Sequence, residues 1–165
     1  MRSSRIILTL VLAVVVVLGV ARAVAQDATP EPDGAPITLV LVERSGIPGS
    51  ETITDIGEPG FSAGDTLVWG PNPLYDAGNA DDTGAVTAGS CQILNTNGDG
   101  HCIETITFPD GSTIAVQGIQ LGHGERSTTT IVGGSGQYLH ASGTLIVEAS
   151  EDRSLWTKSL EIWLD

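Results

Sequence analysis

The stretch Cys91-Gln92-Ile93-Leu94-Asn95-Thr96-Asn97-Gly98-Asp99-Gly100-His101-Cys102-Ile103-Glu104-Thr105-Ile106-Thr107-Phe108 decides the fold. Two β-prone runs flank a dense cluster of turn formers at 95–100, which is the pattern of a β-hairpin. Beyond the turn, Cys102, Glu104, Ile106 and Phe108 alternate with Ile103, Thr105 and Thr107. One face of that strand therefore carries both the cysteine and the carboxylate. With the hairpin centred on Thr96 and Asn97, Cys91 and Cys102 stand opposite each other. A centre one residue later sets them on a diagonal.

The same texture extends outward along the chain. Short apolar or alternating runs at 37–43, 65–69, 86–94, 101–108, 113–119, 128–132, 144–149 and 155–164 are rich in Val, Ile and Thr and are separated by glycine clusters. With 21 glycines in 165 residues a helical bundle is disfavoured, because glycine weakens helix interiors. Eight such segments point to an antiparallel barrel or sandwich. The span 46–64 has weak periodicity and contains Pro48 and Pro59, so it reads as a loop across the barrel mouth. The last segment is open between two forms. Leu155, Trp156, Leu160, Trp163 and Leu164 share a helical face, whereas Leu160, Ile162 and Leu164 alternate as on a strand.

Residues 1–25 read as a secretory signal: Arg2 and Arg5, then a nearly unbroken apolar run, then Ala23-Val24-Ala25 as a small-x-small cleavage site. The apolar run is shorter than the roughly 20 residues that span a bilayer; a retained membrane anchor is the rival reading. Residues 26–36, with three prolines and three acids, form a flexible spacer, and 37–165 form the folded domain. Three of the seven basic residues lie in the leader, which leaves four against 20 acidic ones. A polyanion of this kind is repelled by nucleic acid and by anionic lipid, so neither is expected as a partner, and no membrane association is expected once the signal is removed. Secretion places the two cysteines in an oxidising compartment, where a Cys91–Cys102 disulfide is the leading reading and a free, reactive Cys91 the alternative.

Gly64-Asp65, Asn72-Pro73-Leu74-Tyr75, Thr87-Ala88-Gly89-Ser90-Cys91 and Val116-Gln117-Gly118 resemble, in order and spacing, the allene oxide cyclases. Ile131-Val132-Gly133-Gly134-Ser135-Gly136-Gln137-Tyr138, with Ala141 and Gly143, resembles a segment these cyclases share with dirigent proteins. The resemblance implies an all-β, eight-stranded antiparallel barrel with a small apolar cavity, commonly a homotrimer, that works without metal or organic cofactor. It implies a strand for 155–164. Such barrels hold a reactive small hydrophobic molecule in one conformation, away from water, while it cyclises or isomerises. The resemblance puts Asn72 and Cys91 in the pocket. Aligning Glu43-Arg44 on the family's Glu-Arg pair puts Val40 and Val42 where the cyclases carry an inward glutamate and asparagine.

Among the remaining residues, Glu104 is the candidate catalytic group, since a desolvated carboxylate on an inward face can act as general acid or base. Glu43 is a second carboxylate, read with Arg44 as a surface charge pair. Tyr75, Tyr138, Trp69 and Trp156 are the aromatics available to line a pocket for an apolar ligand. Asn95, Asn97 and Asp99 imitate the start of a calcium loop, but its twelfth position is Ile106, so a hairpin turn explains them without a metal. His101, His123 and His140 show no ligand spacing. The reading is thus a secreted barrel binding a small hydrophobic ligand, either a cofactor-independent isomerase or cyclase or, alternatively, a non-catalytic extracellular or cell-surface binding or structural module.

Overall fold

The computed structural model describes residues 34–164, so residues 1–25, read as a secretory signal, and most of 26–36, read as a spacer, lie outside the described residues. Nine strands form one antiparallel sheet: β1 (Ile37–Arg44), β2 (Glu51–Thr54), β3 (Thr66–Tyr75), β4 (Asp82–Ile93), β5 (Gly100–Thr107), β6 (Thr113–Gln120), β7 (Ser127–Ser135), β8 (Ala141–Ala149) and β9 (Leu155–Leu164). Their order is β1-β9-β8-β7-β6-β5-β4-β3-β2, and pairing of β1 with β3 closes the ring into an eight-stranded barrel. β2 continues the line of β1 against the first half of β3, with Glu51 opposite Trp69 and Thr54 opposite Thr66. The last segment is a strand and not a helix, paired along its length with both β1 and β8.

The eight runs expected from the sequence are all strands, and the structure adds to them. β2 lies within 46–64, which was expected to be loop throughout. Its four residues are all exposed, so it carries no alternating signature. β3 extends through Pro71 and Pro73 to Tyr75 because the proline-containing part departs from regular pairing: the register shifts between Trp69 and Asn72, around a cis Gly70-Pro71 peptide. The hairpin at 95–100 pairs Cys91 directly with Cys102, which rules out the diagonal register, and the two form a disulfide.

Alternation along each strand sorts the interior into layers. At the end where β1 begins, Leu41, Leu74, Ala85, Ile106, Ile114, Ile131, Tyr138, Leu145, Leu160 and Ile162 form one continuous apolar core. At the opposite end a smaller cluster holds Trp69, Cys91, Ile93 and Cys102, with Leu67 packed against it. Buried polar residues Glu43, Asn72, Thr87, Glu104 and Lys158 belong to neither cluster.

Candidate functional site

The buried polar residues come from five strands, and each is inward because its apolar neighbours two positions away are inward. On β1, Glu43 follows Leu41; on β5, Glu104 stands between Cys102 and Ile106; on β9, Lys158 precedes Leu160 and Ile162. Lys158 Nζ lies 2.6 Å from Glu104 Oε1 and 3.1 Å from Glu43 Oε2, so a single ammonium bridges two carboxylates. Glu43 Oε1 accepts from Asn72 Nδ2 at 2.6 Å, and Glu104 Oε1 accepts from the Thr87 hydroxyl at 2.5 Å. Two acceptors in this network, Asn72 Oδ1 and Glu104 Oε2, are buried without a partner.

The electrostatics follow from the contest at the ammonium. Burial pulls the Lys158 amine towards its neutral form, but the two carboxylates, Glu104 more than Glu43, outweigh it and raise its pKa above the ordinary lysine value. Lys158 is therefore a cation at any physiological pH.

Two members of this network, Glu43 and Lys158, floor a pocket of about 110 Å³ that Leu67, Trp69, Cys91, Val147 and Trp156 surround. Glu51 and Gln120 stand on the same wall. Five of these residues, Glu51, Leu67, Cys91, Gln120 and Trp156, also line a wider space of about 320 Å³ that forms the mouth, bounded further by Phe61, His123 and Arg153. Gly89, the cross-strand partner of Trp69, makes room for the indole, since a Cβ there would run into the Trp69 ring. Phe61, from the 55–65 loop, lies against Gly98 of the hairpin turn. That loop does border the mouth, as the sequence led one to expect.

The residues singled out in the sequence divide. Glu104, Asn72 and Cys91 come together at this end of the barrel, the first two in the hydrogen-bonded network and Cys91 in the pocket wall. Tyr75 and Tyr138 do not join them. Arg44 stacks on the Tyr75 ring, its Cζ 3.5 Å from the centroid, while its guanidinium donates to Asn79 Oδ1 and to the Asn79 carbonyl at 2.9 Å. Tyr138 packs on Phe108 in the main core, ring centroids 4.7 Å apart, and burial raises its pKa.

Two further readings are corrected. Glu43 is not half of a surface pair with Arg44: it is 6% exposed and inward, while Arg44 takes the other face. Val40 is 37% exposed and so cannot occupy an inward catalytic position. Lys158 was missed altogether, though carrying the alternation of Leu160 and Ile162 back by one step would have found it. In the 95–100 turn, Asn95 Oδ1 accepts from the Asn97 and Asp99 backbone, and Asp99 accepts from Asn95 Nδ2 and from the Gly122 backbone N–H. Its oxygens are thus engaged in fixing the turn and tying it to 122–124. Among the described residues no group of three or more His, Cys, Asp or Glu side chains is placed to hold a metal.

A closed antiparallel barrel, plugged with apolar side chains at one end, opens at the other over a small pocket with a charged floor. The chain belongs to the allene oxide cyclase barrel like domain family, which matches residues 73–158. The match contains Glu104 and ends on Lys158. No curated protein matches the sequence closely. Among solved structures, the chain is similar to a pyocyanin demethylase (22% identity, TM-score 0.64, covering 76% of this chain and 99% of that one). It is similar to a pterocarpan synthase dirigent protein (14% identity, TM-score 0.62, 79% and 84% covered). It is also similar to a nonspecific heme-binding cyclase that catalyses a cycloaddition in neoabyssomicin biosynthesis (20% identity, TM-score 0.63, 80% and 69% covered). At these identities the likeness establishes the shared barrel.

Proposed function

We propose that this protein is an exported barrel that binds a small, largely apolar molecule in the pocket above Glu43 and Lys158 and steers its cyclisation or isomerisation. The observation that carries the reading is the carboxylate–ammonium–carboxylate network at the floor of a tryptophan-lined pocket in a barrel of this family. The walls exclude water and restrict conformers, and the floor supplies proton-transfer groups that are already fixed in place. Glu104 is the proposed acid–base residue, reaching the pocket through Lys158, which lines it: its Oε1 is held by Lys158 and Thr87, while its Oε2 is buried without a partner. Glu43, oriented by Asn72, is the network's carboxylate that lines the pocket, and Cys91 forms part of its wall.

Export with cleavage after Ala25 is supported by the signal-like leader and the disulfide. No helix among the described residues is long and apolar enough to cross a membrane. Assembly as a homotrimer is proposed through the outer face of β3 to β7. Val68, Ile103 and Val132 are exposed there beside Ala88, Ser90, Thr105, Ala115 and Gln117, a charge-free patch on a protein of formal net charge −13. Copies of a polyanion repel each other least across such a face.

The alternative, a non-catalytic binding module, is favoured by one observation: both Glu43 oxygens are already engaged within the network. Native mass spectrometry of the exported protein, purified without denaturant, tests the binding reading, and a retained lipophilic mass identifies what to assay. Conversion of that compound by the wild type and its loss in Glu104→Gln support the steering role. Retention without conversion supports the binding module, and an empty pocket under every purification condition counts against both.

A further inference from the structure

We infer that the ligand of this pocket is a flat aromatic cation. The inference rests on the small-molecule reading above and adds the charge and shape of the ligand. Shape comes from the walls: Trp69 on β3 and Trp156 on β9 both line the deep pocket, with Leu67, Val147 and the Cys91 disulfide completing an apolar surround. Indole faces pair best with another ring or with a cation.

Charge comes from a count of the groups around the site. The only ammonium at the floor, Lys158, is shared between Glu43 and Glu104, so the floor with all three groups ionised carries one surplus negative charge. A second is added at the rim. Glu51 on β2 lines both the deep pocket and the mouth, and takes part in none of the ion pairs or side-chain hydrogen bonds among the described residues. A negative ligand would meet two surplus carboxylates with the single nearby ammonium already committed. Arg153 and His123 stand farther out, lining the mouth but not the deep pocket, and Arg153 is flanked in sequence by Asp152. The surface field of a −13 protein also draws cations towards the opening and repels anions.

The test is calorimetric titration of the disulfide-intact protein, near neutral pH and at low salt, with three bicyclic probes: N-methylquinolinium, neutral quinoline and 2-naphthoate. The expected result is that the cation binds about tenfold tighter than quinoline, that naphthoate is weakest, and that added salt narrows the gap. Glu51→Gln, at an exposed strand position where folding is not at stake, is expected to lower affinity for the cation several-fold and leave quinoline unchanged. Quinoline or naphthoate binding as tightly as the cation overturns the charge assignment while leaving the pocket intact. Failure of all three to bind overturns the aromatic-cation inference, and the mass spectrometry above then decides independently whether the pocket reading falls with it.

Discussion

Lys158 holds two carboxylates apart from an otherwise apolar interior, and its removal isolates their effect. Lys158→Met leaves Glu43 and Glu104 buried without a counter-charge, which is expected to cost about 3–5 kcal/mol of stability in urea unfolding. Replacing all three residues together by apolar side chains of similar volume is expected to recover most of that loss, because the desolvation penalty of the ions goes with them. The pH dependence has two limbs. Lys158 is raised above its ordinary 10.5, so its contribution is complete below that value and is lost as pH climbs through the higher folded value. Asp65, held below 3.8 by the backbone N–H groups of Ile56 and Ser62, behaves in the opposite sense, as does Asp152, drawn down to about 2 by the Ser150 and Ser154 hydroxyls. Their contributions are complete above 3.8 and vanish as pH falls through the lower folded values. Thermal unfolding followed against pH is expected to show these groups as an acid limb below 3.8 and an alkaline limb above 10.5.

The β4–β5 hairpin shows what was legible in the sequence and what was not. Its turn residues gave the hairpin but left two registers open; the structure selects the one with Cys91 opposite Cys102, and with it the disulfide and the inward face that Glu104 shares with Cys102. Glu43 escaped because a charged dipeptide, Glu43-Arg44, reads as surface; the alternation of Leu39, Leu41 and Glu43 was present but was outweighed by charge. Tyr75 counted among the aromatics available to line a pocket, yet it stands three residues beyond the inward Asn72, so strand alternation turns it to the other face, where Arg44 covers its ring. β2 left no trace, since a strand exposed at every residue has no face to hide. The disulfide joins adjacent strands across a short loop, so the Cys91→Ser/Cys102→Ser double variant is expected to lose about 2–3 kcal/mol in denaturant titration. The same variant alters a pocket wall, and binding of the ligand is expected to weaken by more than the change in folded fraction explains.

At the scale of the whole molecule, the ring is closed by a short β1–β3 pairing, and an uncharged face with exposed apolar side chains is left outside across β3 to β7. Ile103 is 54% exposed on it. The wild type is expected to run as a trimer in size-exclusion chromatography with light scattering, and Ile103→Asp to run as a folded monomer that melts lower, because the stabilisation from assembly is lost. A monomeric wild type would remove the trimer proposal.

The pairing of Ile37 with Ile162 brings the two ends of the folded domain side by side at the plugged base, while the loops that frame the mouth lie at the far end. A short peptide bridging the two ends, with the chain reopened at an exposed loop, is a natural circular permutation. Attachment through either end, to a bead, a sensor surface or a fused carrier, presents every copy in one orientation with its opening turned to the solution.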